Sequence, residues 1–449
     1  MTTNPTTSQA VAVSGPDARD QRRAYTASLI GSIVEFYDFA IYGTAASLVF
    51  GSIFFAGMSP AVGTIASLAT FAAGYMARPL GGVIFGHFGD KVGRKSMLMI
   101  TLIMMGTATM LIGLLPTSAQ IGSLAPVLLV TLRLIQGIAV GGEWGGAVLM
   151  SVETGSQKSR GFFGSATGVG AAAGALLATG SFALLGFLEE DQFMSWGWRI
   201  PFLASATLIV IGAYIRLKVS ESPVFKAAAE KAAEKKETTE ERKQAPFVNL
   251  IRNHPKRLAL AVGVYVGPVM AQSIIKIYVV SWATTNTDVS RGVILNALTA
   301  SLAVMVVGVP LFAMLSDRIG RLKVYVPAAI LFAIASFLIF PMIATGSTAL
   351  VFLAFFMTMG VIESACLGPV GAILTEAFPT KIRYTGTSFA YQVSSMVGGG
   401  FGPVVAALLA TTLGMGALPV SLMMGAFCVI SAVSTLMLGE SRKTDLNNV

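Results

Sequence analysis

Twelve apolar runs, each about twenty residues long and nearly free of charge, follow one another along this chain of 449 residues. In water such runs would need a polar coat, and only 12% of the residues are charged, against roughly 25% in soluble globular proteins. Lipid removes the contradiction. In lipid every backbone N–H and C=O must be paired within a helix or around a closed barrel. Barrel strands would alternate apolar and polar residues. These runs are continuous and long enough for helices to cross ~30 Å of hydrocarbon. The spans are expected at 26–50, 61–86, 96–116, 124–148, 161–187, 199–217, 258–283, 292–315, 323–345, 349–374, 384–411 and 416–438. The expected fold class is an all-α membrane protein of twelve transmembrane helices.

Basic residues orient these spans. Of 31 Lys and Arg, 26 fall on alternate connections: the N-terminal tail, Lys91–Lys95, Lys158 and Arg160, Arg216–Arg257, Arg318 to Lys323, Lys381 and Arg383, and Arg442 and Lys443. The opposite connections hold Arg199 and Arg291. By the positive-inside rule both termini are cytoplasmic, and the net +9 is a topology signal, not a mark of nucleic-acid binding. The polar first 25 residues and the length of the first run argue against a cleaved signal peptide, so the expected location is the inner membrane, multi-pass. Cys366 and Cys428 lie within spans and are expected as free thiols. His87 and His254 lie outside spans, so neither a metal site nor a cofactor is expected. No nucleophile–base pair is evident within the spans, and the chain does not read as an enzyme.

The chain also repeats itself. Gly86-His-Phe-Gly-Asp90-Lys-Val-Gly93-Arg94-Lys between spans 2 and 3 is echoed by Met-Leu-Ser-Asp317-Arg-Ile-Gly320-Arg321-Leu-Lys between spans 8 and 9. Asp90 and Asp317 stand 227 positions apart, as do Gly93 and Gly320, and Arg94 and Arg321. Glu153 and Arg160 after span 4 are matched by Glu376 and Arg383 after span 10. Two loop motifs recurring at half the chain length indicate duplication, with the repeats parallel and related by an axis along the membrane normal. The expected division is a tail at 1–25, a six-helix half at 26–217, a central loop at 218–257 whose stretch Lys226–Lys243 reads as a solvated helix or flexible segment, a second half at 258–438, and a tail at 439–449. The repeated Asp, Gly and Arg are read as gate loops that bridge helix ends. The alternative is that they only set topology. Gly89–Ser96 superficially resembles a phosphate loop, but its spacing is wrong and it joins two spans, not a strand and a helix.

Ionisable residues inside spans are costly and usually functional. Seven occur: Glu35 and Asp38 in span 1, Arg78 in span 2, Arg133 and Glu143 in span 4, Lys276 in span 7 and Glu363 in span 10. At ~1.5 Å per residue, Asp38 lies roughly 18 Å and Arg133 roughly 14 Å from opposite faces, both near the midplane. They are expected to partner each other. A carboxylate beside a cation in a partly dry cavity can exchange a proton as access alternates, which makes Asp38 the first proton-coupling candidate, then Glu35 and Glu363. The alternative is a static Asp38–Arg133 brace. Lys276 reads either as the cation for a substrate carboxylate or as a side chain snorkelling to the interface. Glu363 either pairs with Lys276 or stands as a second protonatable site. Arg133, Lys276, Tyr37 and Gln136 form the substrate-binding candidates. Small residues in spans 5 and 11 read as close helix packing.

These residues resemble the major facilitator superfamily, and within it the metabolite:proton symporter family, from about residue 25 to 438. The resemblance rests on Glu35-Phe-Tyr37-Asp38-Phe39, Ala77-Arg78-Pro-Leu-Gly-Gly82 with Gly86-His-Phe-Gly-Asp90, Arg133-x-x-Gln136-Gly137, Gly141-Gly-Glu-Trp-Gly-Gly146 and Phe193-Met-Ser-Trp-Gly-Trp-Arg-Ile-Pro-Phe202. It implies two six-helix halves whose first, fourth, seventh and tenth spans line a central cavity. It also implies proton-coupled import of a small carboxylated or zwitterionic metabolite, as in similar carriers for shikimate, alpha-ketoglutarate, citrate, proline and betaine, with shikimate-permease-like members nearest. Span 5 lacks the Gly-Pro-x-x-Gly-Gly feature of the superfamily's antiporters, which favours symport. Lys276 is not part of the general family pattern. The expected partners are the solute, protons and the bilayer, with the monomer as a complete unit. A non-coupled facilitator or exporter, or a transport-inactive membrane sensor, are the alternatives.

Overall fold

The computed structural model describes residues 18–218 and 246–442, apart from 93, 142, 155, 157, 380–381 and 413–415. No strand occurs among the described residues. Twelve membrane helices follow in order. They are α1 (Ala18–Leu48), α2 (Pro60–Val92), α3 (Arg94–Leu114), α4 (Leu124–Val140, resuming as Trp144–Thr154), α5 (Arg160–Gly164 with Ala166–Leu185) and α6 (Arg199–Lys218). Then come α7 (Pro255–Ser273 to Val280–Asn286), α8 (Arg291–Ile319), α9 (Arg321–Ala344), α10 (Thr348–Phe355 to Ser364–Glu376), α11 (Arg383–Ser394 to Gly402–Thr412) and α12 (Leu418–Leu438). The central part of the loop expected at 218–257, with the run 226–243, lies outside the described residues. Its last part forms a short helix, Pro246–Asn253, that leads into α7.

Nine of these helices are long and apolar enough to cross a membrane on composition alone, and the bent pair Glu190–Gly197 and Arg199–Tyr214 makes a tenth. The apolar part of α3, Met99–Leu114, is shorter. The first helix is not among them: it begins eight residues before the expected span, in polar sequence, and carries Glu35 and Asp38 in its apolar part. Several helices overrun their apolar runs because backbone hydrogen bonding continues past the hydrocarbon boundary, which hydropathy cannot see.

The two halves pair their helices alike. In the first, α1 packs on α5, α2 on α4 and α3 on α6; in the second, α7 packs on α11, α8 on α10 and α9 on α12. The halves meet through α5 against α8 and α2 against α11, two contacts that the repeat interconverts. Glycines make the tightest approaches. A Cβ on Gly174 of α5 would meet the backbone of Ile33 and Tyr37 in α1, and one on Gly398 of α11 would meet the backbone of Val266 and Met270 in α7. Both pairs have little to hold them apart, as small-residue packing in lipid requires.

The fourth span runs from Leu124 to Leu149, with turns at Gly141 and Glu143 between the two parts of α4. There Gly141 lies against the backbone of Arg78 and Gly82 in α2. π-helical turns interrupt α7 at Ile274–Val279, α10 at Phe356–Glu363 and α11 at Ser395–Phe401. Such turns recur at functional sites, and two of them carry Lys276 and Glu363.

Candidate functional site

The charges inside the bundle gather into two clusters, one per half. In the first half Asp38 and Arg133 are both buried. They do not form the direct pair that their depths suggest. Arg133 Nη1 donates to Gln136 Oε1 at 3.1 Å, Gln136 Nε2 donates to Thr109 Oγ1 at 2.6 Å, and Thr109 Oγ1 donates to Asp38 Oδ2 at 2.8 Å. Asp38 Oδ1 has no hydrogen-bond partner among the described residues, nor do Arg133 Nε and Nη2. The guanidinium lies on rings instead, 4.1 Å from the centres of Phe39 and Tyr42. Arg78 lies 4.0 Å from the centre of the same Phe39 ring. Desolvated cation–π contacts of this kind are worth about 2 kcal/mol, so aromatic faces replace part of what a carboxylate would give. Glu35, one turn from Asp38, is also buried. Tyr37 donates to the Pro201 carbonyl of α6 at 2.8 Å, which ties its hydroxyl into its own half.

The second half has a shorter relay. Lys276 Nζ donates to Gln272 Oε1, and Gln272 Nε2 donates to Glu363 Oε1. Glu363 is buried and its Oε2 has no partner among the described residues. Lys276 therefore points into the bundle rather than out to the interface. The order is inverted between halves: the acid stands on α1 and the cation on α4 in the first, the cation on α7 and the acid on α10 in the second. Gln272 and Thr109 were not singled out in the sequence. Gln272 stands one turn before Lys276, a visible i, i+4 relation; Thr109 depends on how α3 meets α1.

Between the halves runs a narrow crevice lined by Phe36, Trp144, Thr167, Tyr265, Gln272 and Tyr391 among others, with a cavity volume of about 10 Å³, the room of one water. Toward the face where α1 begins and α12 ends it is closed by stacked rings. Trp144 of α4 lies on Tyr391 of α11 with ring centres 3.5 Å apart, and Tyr265 of α7 lies 5.1 Å beyond. Gln392 Nε2 donates to the Gly141 carbonyl across the halves at 3.2 Å. Glu143 accepts from Thr101 of α3, a link between helices within one half.

The second-half residues expected as a gate loop form a buried network. Arg321 Nη1 donates to Asp317 Oδ1 at 2.7 Å, and its Nη2 to Glu376 Oε1 at 3.3 Å. Asp317 also accepts from the backbone N–H groups of Gly161 and Phe162, each at 2.9 Å. It thus caps α5 of the other half, where orphan N–H groups and the helix dipole favour a carboxylate. Gly320 takes φ +112°, a left-handed turn that suits glycine. Glu376 further accepts from Ser441, and Arg383 donates to the Phe378 carbonyl. Arg160 is buried nearby. Of the matching residues of the first half, Gly93 lies outside the described residues, as do the side-chain surroundings of Gly86, Asp90, Arg94 and Glu153. Past α12, burial pushes the Glu440 carboxyl up, but N–H groups of Arg321, Arg442 and Leu322 outweigh it and hold its pKa below the ordinary value. On the opposite face Arg291 and Glu190 form an exposed pair between the halves at 3.0 Å.

Comparison with known proteins gives this geometry a context. Residues 24–439 match the family described as sugar (and other) transporter. The chain is 40% identical to the inner membrane metabolite transport protein YhjE of Escherichia coli (strain K12) over 435 residues, 95% of this chain and 96% of that one. It is 39% identical to the shikimate transporter of the same organism, covering 94% and 95%, and 34% identical to the proline/betaine transporter of Salmonella typhimurium (strain LT2), covering 95% and 84%. Among solved structures it is similar to a D-xylose–proton symporter, with a TM-score of 0.73 over 94% of this chain and 99% of that one, at 17% identity. At that identity the likeness speaks to the fold.

Proposed function

The chain belongs to the sugar (and other) transporter family of the major facilitator superfamily, and from that membership we propose that it imports a small carboxylated or zwitterionic metabolite together with protons. It is a multi-pass inner-membrane transporter and not an enzyme. The observation that carries the proposal is the pair of buried relays, each holding a carboxylate with one oxygen unpartnered among the described residues, on opposite sides of the seam between the halves. A carboxyl group so placed takes up or releases a proton as water reaches it from one face or the other. Asp38 is the principal proton carrier, with Glu363 and Glu35 behind it. Arg133, Lys276 and Gln136 present the polar groups that a carboxylate would meet. Tyr37 supports the fold of the α1–α6 contact. The residues of the second-half network, with Gly86, Asp90, Gly93, Arg94, Glu153, Arg160, Gly320 and Arg383, act as a latch that holds and releases the face of the termini. That face is cytoplasmic, supported by its basic residues. The two halves enclose the crevice within one chain, which supports a monomeric unit.

The relatives named for shikimate and for proline and betaine support a solute bearing a carboxylate. The test is uptake into proteoliposomes under an acid-outside gradient, with labelled shikimate, alpha-ketoglutarate, citrate, protocatechuate, proline and betaine. Uptake of one solute above its equilibrium level, abolished by a protonophore, is expected. Uptake that ignores the gradient would leave a facilitator. Absence of both uptake and binding by folded protein would favour a sensor.

A further inference from the structure

Gln272 is the one member of the second relay that lines the central crevice. Chemistry fixes how its amide points. The Lys276 ammonium has donors and no acceptor, so the amide carbonyl faces it and the NH₂ group faces Glu363. An NH₂ group suits a carboxylate oxygen. The opposite orientation, carbonyl toward Glu363, suits the O–H of a protonated carboxyl. Lys276 thus holds the amide in the orientation that matches an ionised Glu363. Among the described residues that carboxylate has no other hydrogen-bond donor.

We propose that Gln272 couples occupancy of Lys276 to protonation of Glu363. When the halves part and a solute carboxylate passes Gln272 to reach Lys276, it takes the ammonium, and the amide is released from Lys276. The amide turns its carbonyl onto Glu363, which binds a proton from water on the entry side and, keeping it, donates a hydrogen bond to Gln272 Oε1. When the solute leaves, Lys276 returns to the carbonyl, the NH₂ group turns back and the proton departs on the exit side. The solute and the proton then favour each other's binding by one shared factor. This rests on the proton-symport reading above, and it assigns Gln272 a positioning role toward both groups.

The other groups facing Glu363 are Tyr265 on α7, Tyr325 on α9, Cys428 on α12 and Cys366 on α10 itself. Tyrosines and thiols ordinarily titrate above about pH 8. The ionisable residues of α8, which also packs there, stand at its two ends. Lys276 is therefore the charged partner that the amide reports on.

The test has two readouts. The first is the KM for labelled shikimate in proteoliposomes between pH 5.5 and 8, for wild type and Gln272→Met. Wild-type KM is expected to rise with pH, and the rise to be shallower in the variant by up to about tenfold per unit, the share of one linked proton, because Asp38 still titrates. An unchanged slope in the variant would overturn the proposal. The second needs no solute: infrared titration of the Glu363 carboxyl band, identified by its loss in Glu363→Gln. Its midpoint is expected to be displaced by about one pH unit in Gln272→Met, and a midpoint equal to wild type would overturn the proposal. Gln272→Asn, which keeps the amide but shortens its reach, serves in both readouts if the Met variant does not fold. Failure of the wild type itself to take up shikimate would count against the transport reading for that solute, while the infrared midpoint still judges Gln272.

Discussion

At the scale of residues, Asp38 and Glu363 share one arrangement: a carboxylate deep in an apolar bundle, one oxygen held by a neutral side chain and the other unpartnered among the described residues. Removing the neutral donor leaves the acid unsupported, which for a buried group costs about 1–3 kcal/mol. Thr109→Val is accordingly expected to lower gradient-driven uptake by about tenfold or more, with little change in melting temperature; uptake at the wild-type rate would detach Asp38 from Thr109. The four charges at the ends of the relays were legible in the sequence because a charge inside an apolar run stands out. The neutral links were not. Threonine and glutamine are common in spans, and which of them meets an acid is decided by packing between helices distant in sequence. The same reason explains why Asp38 and Arg133, expected as direct partners, are joined through two side chains.

At the scale of elements, the end of α5 is held by Asp317 of α8, and Asp317 by Arg321. Breaking a buried charge pair by removing one partner costs about 3 kcal/mol. Asp317→Ala is therefore expected to favour the arrangement open at the termini, seen as a longer distance between spin labels at Lys158 and Arg318. An unchanged distance distribution would remove the latch. Glu440 closes the same corner by accepting from the first N–H groups of α9. Its pKa lies lower when folded than when unfolded, so the stabilisation is present above the unfolded value and is lost as pH falls through the folded one. Thermal melts of Glu440→Gln are expected to show less loss of stability on acidification than wild type; parallel curves would contradict this. The repeated Asp-x-x-Gly-Arg order marked this element in the sequence. Its partner across the halves, the N-terminus of α5, was not, because backbone N–H groups carry no sequence signal. The glycines of α5 were legible as packing residues. Gly174→Leu is expected to push α1 from α5 and destabilise by about 1–3 kcal/mol, measurable as a lower melting temperature in detergent.

At the scale of the whole molecule, twelve helices in two like-paired halves meet along two seams, α5 with α8 and α2 with α11. Hydropathy was enough for the helix count, because lipid leaves helices no alternative, and the recurring loop motifs were what pointed to two halves. They could not give the narrowness of the crevice or the stacked Trp144, Tyr391 and Tyr265 that close it, since three aromatic residues far apart in sequence look like ordinary core. The halves carry one buried carboxylate relay each, and in the proposed mechanism the two halves rock past one another along the seams. Asp38→Asn keeps the shape of the first relay and removes its titration. The most direct measurement is lumenal pH in proteoliposomes loaded with a pH-sensitive dye, after the solute found by the uptake screen is added outside. Lumenal acidification by wild-type protein and none by Asp38→Asn is the predicted result. Entry of the solute into wild-type vesicles with no change in lumenal pH would contradict proton-coupled transport.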